Sequence, residues 1–428
     1  MVFLHHPFKN HPMSDDRPAI LGGAPLLAQV HDDAERWPLI DERDEAAVLA
    51  VLRDGDLSLH PVTHALEEDY RQRFGVRHVL THANGTLALL AAFRAVGLGP
   101  GDEVIVPSAT WWASAVPALW LGAVPVFAES EAISAGLDPT DVEQRITPRT
   151  RALVVVHLWG IPSRMDELLA IARRHGLKVI EDASHAHGAT WRGRPCGTLG
   201  DVGVFSLQSQ KLAPAGEGGI LLTNDDAVFA SAAMLGDVWR CWKLPGPERR
   251  FAGTTFGIKT RMAPLSAAVG RSQFARLDHH NAIRSANCDR LEQGCARLGL
   301  VPFQAQPDCT RVYFEMLFRL DPQCSLTAEQ FVAAMTAEGA RVSLPRYPLL
   351  HQQPLFTEGR WNDIARLPAT LRQYDPLDLP RTTAMARTLV RYPVFTRPAT
   401  ELVDAYVMAT ERIMRHAPAI AGLSPSAA

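Results

Sequence analysis

Residues 151–188 read RALVVVHLWGIPSRMDELLAIARRHGLKVIEDASHAHG. The stretch opens on Leu153-Val154-Val155-Val156, apolar on both faces, as a strand buried inside a parallel sheet is. A helical segment follows over 163–175. It opens on a serine, carries acids early and bases late, and stops at Gly176. A second apolar run, 178–181, then ends in Glu181-Asp182 and a polar turn. Strand, helix, strand in under forty residues is the repeating unit of an α/β fold.

The same alternation extends in both directions. Further β-branched or apolar runs lie at 77–81, 103–107, 124–128, 202–207 and 219–223, giving seven expected strands with 152–157 and 178–181. Residues 86–96 carry Leu87, Leu90, Ala91 and Phe93 at helical spacing. Asp138-Pro139 supplies an N-cap and a first-turn proline for a helix to Ile146. The expectation is an α/β domain with a mostly parallel sheet. Beyond residue 225 the pattern changes. Residues 234–256 read as a long irregular excursion holding Trp239, Trp242, Pro245, Pro247 and Arg249-Arg250, and 263–287 reads as one long helix. Strands at 310–319 and 341–344, with helices at 328–339 and 400–416, suggest a smaller α+β domain.

Composition narrows the function. The chain has 428 residues, a formal net charge of −3 and 47% hydrophobic residues. It lacks the strong positive field of a nucleic-acid binder. No apolar run approaches the roughly 18–20 residues that cross a bilayer. Six cysteines without a CxxC pair read as reduced thiols, and with no apolar signal core at the N-terminus the expected location is the cytoplasm. His5, His6 and His11 belong to a polar N-terminus rather than a metal site. Of the 43 basic residues only five are lysine: Lys9, Lys178, Lys211, Lys243 and Lys259.

Three motifs carry chemistry. His82-Ala83-Asn84-Gly85-Thr86 joins a strand to a helix, and free N–H groups at a helix start favour a phosphate. Glu181-Asp182-Ala183-Ser184-His185-Ala186-His187 follows a buried strand, where open α/β sheets bind ligands. Asp182 suits either a turn or a protonated ring nitrogen. His185 and His187 lack the spacing of a helical zinc pair, so no metal site is expected. Lys211 closes the run 205–211 ahead of the glycine-rich turn Gly216-Glu217-Gly218-Gly219. Its neighbours are apolar, small or neutral, and desolvation would favour the neutral amine that a Schiff base requires.

A phosphate cradle, an acid for a ring nitrogen and a desolvated lysine suit pyridoxal 5'-phosphate. From about Trp37 to His416 the chain resembles the DegT/DnrJ/StrS family of pyridoxal-phosphate-dependent sugar aminotransferases. The resemblance rests on Asn84-Gly85-Thr86, the GDEVIVPS run at 101–108, His157-Leu158-Trp159-Gly160, Glu181-Asp182, Phe205-Ser206, and Lys211 followed by 216–219. The HAHGA phrase at 185–189 and the Gln208–Lys211 spacing look most like the scyllo-inosose aminotransferase and aminohydroxybenzoate synthase branch.

The resemblance implies the aspartate aminotransferase-like fold (type I), a homodimer with shared active sites, a small-molecule amino donor and a keto acceptor. It divides the chain into an N-terminal extension (1–36), a large cofactor-binding domain (37–290) and a small C-terminal domain (291–428). It gives Lys211 the Schiff base and the later proton shuttle, Asp182 the ring nitrogen, and His185 the neighbourhood of the phenolic oxygen. Trp111 matches the aromatic stacked on the ring, while Trp112 reads as core. Asn84, Gly85, Thr86 and Ser206 would hold the phosphate. Lys259 lies in a segment that, in the family, reaches the neighbouring subunit's site. There it either pairs with the phosphate or is a surface substitution of the usual asparagine. Arg346, Tyr347 and His351 match a segment at the substrate mouth, where Arg346 suits a carboxylate. Trp239 and Trp242 either line an altered acceptor pocket or simply pack.

The expected reaction moves an amino group from glutamate or glutamine to a ketone of a sugar nucleotide, cyclitol or related intermediate. The rival on the same fold is a dehydratase or cyclase. The family's sugar 3-dehydrases carry histidine at the lysine position, which Lys211 argues against. A non-catalytic regulator is the remote alternative. Leu207, where an aromatic is usual, the 234–256 excursion and the extended N-terminus depart from the family pattern.

Overall fold

In the computed structural model, residues 16–27, 32–236 and 238–423 are described. His5, His6, His11 and Lys9 lie outside them. The large lobe is built on seven strands: β1 (His78–His82), β2 (Glu103–Pro107), β3 (Val124–Ala128), β4 (Thr150–Val156), β5 (Lys178–Asp182), β6 (Val202–Ser206) and β7 (Gly219–Thr223). Their order across the sheet is β1-β7-β6-β5-β4-β2-β3. β7 runs antiparallel to both its neighbours and every other pairing from β6 to β3 is parallel. All seven expected strands are present.

Helices α1 (Glu42–Asp54), α2 (Val62–Phe74), α3 (Gly85–Ala95), α4 (Pro139–Arg145), α5 (Met165–His175) and α6 (Asp226–Gly236) cover the sheet and its edges. Leu153 and Val155 of β4 face one apolar cluster with Met165 and Leu168 of α5, while Val154 and Val156 face another with α3. Burial on both faces is why this strand shows no alternation in sequence.

Expectations fail where local periodicity met a tertiary constraint. The helix expected over 263–287 is two helices, α7 (Pro264–Phe274) and α8 (Leu277–Ala296). Arg276 leaves helical geometry between them (φ −105°, ψ 3°), with its guanidinium paired to Asp41 and Asp44. The excursion is less irregular than expected: α6 runs to Gly236, and Val238–Cys241 and Pro247–Phe251 form short helical turns. Trp112 is not core. It opens a turn that buries Ala113 and Ser114 while Trp112 itself is 41% exposed.

The smaller lobe holds β8 (Leu300–Pro302), β9 (Met316–Leu320) and β10 (Leu389–Tyr392) in an antiparallel sheet packed on α9 (Ala328–Ala337) and α10 (Thr400–Arg415). Only the end of the strand expected at 310–319 joins this ladder. Val312 and Phe314 instead donate their N–H groups to the carbonyls of Gly160 and Trp159 at 3.0 and 3.2 Å. Residues 341–344 contribute one bridge, Ser343 to Arg391, before Pro345 removes the next donor. The short turn near residue 20 docks on this lobe, with the Ala19 and Leu26 N–H groups on the buried Glu338 carboxylate. Among the described residues no helix is long and apolar enough to cross a membrane.

Candidate active site

The carboxyl ends of β1, β5 and β6 converge on one cavity of about 540 Å³. Asn84, Gly85, Thr86, Trp111, Asp182, His185, Ser206, Lys211, Arg346 and Tyr347 all line it. These residues span more than 260 positions of sequence; parallel strands that end on the same side bring most of them together, and a loop of the smaller lobe adds Arg346 and Tyr347.

One wall is the start of α3. Asn84 caps the helix by accepting the Leu87 N–H at 2.9 Å. The turn is too tight for side chains: a Cβ at Gly85 would lie 2.8 Å from the Ser206 Cβ, and one at Gly219 2.4 Å from the Asn84 carbonyl oxygen. Glycine at both positions lets β6, β7 and the helix start close together. The helix start, Thr86 and Ser206 then line the same cavity wall, and free N–H groups with hydroxyls suit an oxyanion. Behind the turn, Thr260 accepts the Ala83 N–H on its carbonyl and pairs with His82 Nδ1 at 3.0 Å.

Asp182 ends β5 nearly buried. Its Oδ2 accepts the Ser114 hydroxyl at 2.7 Å, and Oδ1 accepts the Ser184 N–H at 3.2 Å. Thr110 Oγ1 stands 3.0 Å behind Ser114. The preceding Glu181 points the other way and is fully buried. It accepts the N–H groups of Gly197, Leu199 and Gly200 and pairs with His157 Nε2 at 2.9 Å. His157 Nδ1 takes the Ser163 N–H. The pair therefore braces the strand ends and leaves the cavity to Asp182.

Lys211 is partly exposed through the cavity, yet protein surrounds its amine. Burial lowers its pKa to about 8 with help from Arg346, against the opposing pull of Asp182 and Glu315. Its Nζ lies 4.4 Å from the centre of the Phe314 ring. His185 stacks on that ring at 4.0 Å and 13°. Its Nδ1 accepts the Trp159 N–H at 3.3 Å, which puts the proton of the neutral ring on Nε2, 3.5 Å from the Tyr347 hydroxyl. Burial and the nearby Lys211 and Arg346 charges hold His185 neutral, well below the usual histidine range.

At the mouth, Arg346 Nε lies 2.9 Å from the buried Glu315 carboxylate, and the guanidinium also donates to the Gln210 side chain. Burial raises the Glu315 pKa, opposed by Arg346 and Arg391. Trp111 is 45% exposed and sits 5.6 Å from the Tyr347 ring.

Four expected residues stand apart. His351 is buried, with Nδ1 2.7 Å from the Ser108 hydroxyl. Lys259, Trp239 and Trp242 are exposed and do not line this cavity. Sequence reasoning missed Ser114, Phe314 and Glu315, which carry no local motif. Phe314 reaches the site because Gly160 admits the 312–314 strap: a Cβ there would lie 2.3 Å from the Val312 carbonyl oxygen.

The description of the DegT/DnrJ/EryC1/StrS aminotransferase family matches residues 38–395. An L-glutamine:scyllo-inosose aminotransferase of Streptomyces griseus is 35% identical over 396 residues, covering 88% of this chain and 92% of that one. A GDP-perosamine synthase of Caulobacter vibrioides is 38% identical over 300 residues, 70% of this chain and 79% of that one. The crystal structure of S. venezuelae DesV in complex with a ketimine intermediate superposes with a TM-score of 0.76 at 31% identity, covering 89% of this chain and 98% of that one. The chain is an aminotransferase and belongs to the DegT/DnrJ/EryC1/StrS aminotransferase family.

Proposed function

We propose that this aminotransferase works with pyridoxal 5'-phosphate and carries an amino group from glutamine or glutamate to the ketone of a cyclitol. The observation that carries this reading is the grouping of Lys211, Asp182 and the Gly85–Ser206 cradle around one cavity. The donor set fits the cofactor: hydroxyls and helix N–H groups for a phosphate, a fixed carboxylate for a ring nitrogen, and an amine depressed by burial for an aldehyde carbon.

When bound, the cofactor supplies an electron sink for cleavage of the donor's Cα–H bond. The protein's part is positioning and proton transfer. With the cofactor bound, Lys211 would hold its aldehyde carbon through the neutral amine and would be the base that moves a proton at Nζ. Asp182, oriented by Ser114 and Ser184, would hold the ring nitrogen protonated. His185, whose Nε2 faces Tyr347, would offer that proton near the cofactor's phenolic oxygen, and Trp111 would cover its ring face. Arg346, already balanced by Glu315, receives a single carboxylate, which suits an amino-acid donor followed by an uncharged acceptor.

The cyclitol assignment draws on the relative named for scyllo-inosose, and the GDP-perosamine synthase points to a sugar-nucleotide ketone as the alternative acceptor. By the family resemblance the chain would pair as a homodimer, and the exposed Lys259 would then be available to reach the phosphate of the neighbouring site. The test supplies the holoenzyme and L-glutamine with scyllo-inosose, 2-deoxy-scyllo-inosose or a nucleoside-diphosphate keto sugar and weighs the products by mass spectrometry. An aminocyclitol is the expected product. Amination of the keto sugar alone would overturn the cyclitol reading.

A further inference from the structure

We infer that Trp37, which lies outside the cavity, is a positioning residue for Lys211, an inference that rests on the cofactor role proposed above. The indole Nε1–H donates to the Lys211 carbonyl oxygen at 3.0 Å. On the other side, the Lys211 N–H donates to the Gln208 carbonyl at 2.8 Å. Both peptide groups flanking the lysine Cα are thereby fixed, and with them the direction in which its side chain leaves the backbone. This matters because the lysine lies in an irregular segment between β6 and β7, outside any strand or helix ladder. The Leu207–Gly218, Ser209–Gly216 and Ala215–Leu207 backbone bonds close that segment around it but do not engage the lysine's own carbonyl.

Trp37 is itself held on two sides by α8. The guanidinium of Arg284 lies 4.2 Å from the ring centre, and His280 meets the ring edge-on at 5.2 Å and 85°. Arg284 is buried and donates to the Tyr313 carbonyl at 3.4 Å, and no ion pair of it occurs among the described residues. The indole face thus stands where a carboxylate would normally be. Burial lowers the Arg284 pKa to about 10. The residues that follow are tied down as well. Leu39 gives its carbonyl to Gln273 at 3.1 Å, and Asp41 and Asp44 grip Arg276. A rigid strap therefore runs from α7 and α8 to the back of the lysine and ends in one donor, the indole N–H. A phenyl ring in its place would remove that donor together with the second ring, whereas benzothienylalanine would remove the donor and keep the bicyclic shape against Arg284 and His280.

The test uses reconstituted holoenzyme and Trp37→Phe. The two readouts are the pH titration of the bound cofactor's visible absorbance and the rate at which hydroxylamine discharges it. A lysine freed on its carbonyl side samples more side-chain directions. The variant is expected to bind the cofactor, to shift the titration midpoint by about half a unit or more, and to lose colour to hydroxylamine several-fold faster. A variant that titrates and discharges like the wild type, even with a lower melting temperature, would overturn the inference. If Trp37→Phe does not fold, benzothienylalanine at position 37 keeps the bicyclic shape without the N–H, and the same two outcomes decide. A wild-type protein that takes up no cofactor would instead defeat the function proposed above.

Discussion

Ser114 gives its hydroxyl proton to Oδ2 of Asp182 at 2.7 Å, and this contact joins two segments 68 residues apart at the cavity wall. The Ser184 N–H holds the other carboxylate oxygen. The acid is thus oriented by neutral donors, with its charge left for a ligand. Asp182→Asn is expected to retain the cofactor and to lose amino transfer by on the order of 10²–10³-fold, the usual consequence of removing a preorganised charge. Ser114→Ala removes one hydrogen bond, about 1 kcal/mol, and should slow the reaction only several-fold. Single-turnover rates measured with one donor check both.

The cradle makes a sterically sharp prediction. Gly85→Ala places a methyl group 2.8 Å from the Ser206 Cβ, so the helix start and β6 must part. At about 1–3 kcal/mol of overpacking, affinity for pyridoxal phosphate should fall roughly tenfold or more. Affinity for phosphate-free pyridoxal should change little. Titration of apoprotein with the two aldehydes separates a phosphate effect from general damage.

The lowered pKa of Lys211 sets a pH dependence. Below about 8 the amine carries a proton and cannot attack an aldehyde; above it the amine is neutral. Uptake of pyridoxal phosphate by the apoprotein should therefore speed up as pH rises and level off beyond a midpoint near 8. An ordinary exposed lysine would keep accelerating to about pH 10. Stopped-flow absorbance across this range measures the midpoint.

Glu181 predicts a loss of stability. Its carboxylate, wholly buried, satisfies three backbone N–H groups and His157. Glu181→Ala should cost about 3–5 kcal/mol, as removal of one partner from a buried charged network does. Denaturant unfolding of the apoprotein measures it, free of any effect on cofactor binding.

The large lobe was legible because the central strands are buried on both faces and several helices carry local start or stop signals. Leu153–Val156, the Asp138-Pro139 helix start and the Gly176 stop are all local signals. The residues at strand ends were legible too, since Asn84-Gly85-Thr86, Asp182, Ser206 and Lys211 sit in motifs whose order resembles a family. What stayed hidden is held by long-range contact. Phe314 continues an apparent strand in sequence, yet Gly160 draws it onto His185. Arg276 sits in an unbroken helical pattern, yet Asp41 and Asp44 pull it out of the helix. Ser114 follows two tryptophans with nothing to mark it as Asp182's partner. Trp112 reads as core beside Trp111, but its side chain is exposed while the turn it opens buries Ala113 and Ser114.

The most direct measurement is the absorbance spectrum of the purified protein incubated with pyridoxal phosphate, taken before and after L-glutamine or L-glutamate. A visible band that forms with the wild type, is missing in Lys211→Ala, and gives way to the pyridoxamine form when the donor is added is the expected result. A protein that stays colourless, a band that forms equally well without Lys211, or a band that persists with both donors would contradict it.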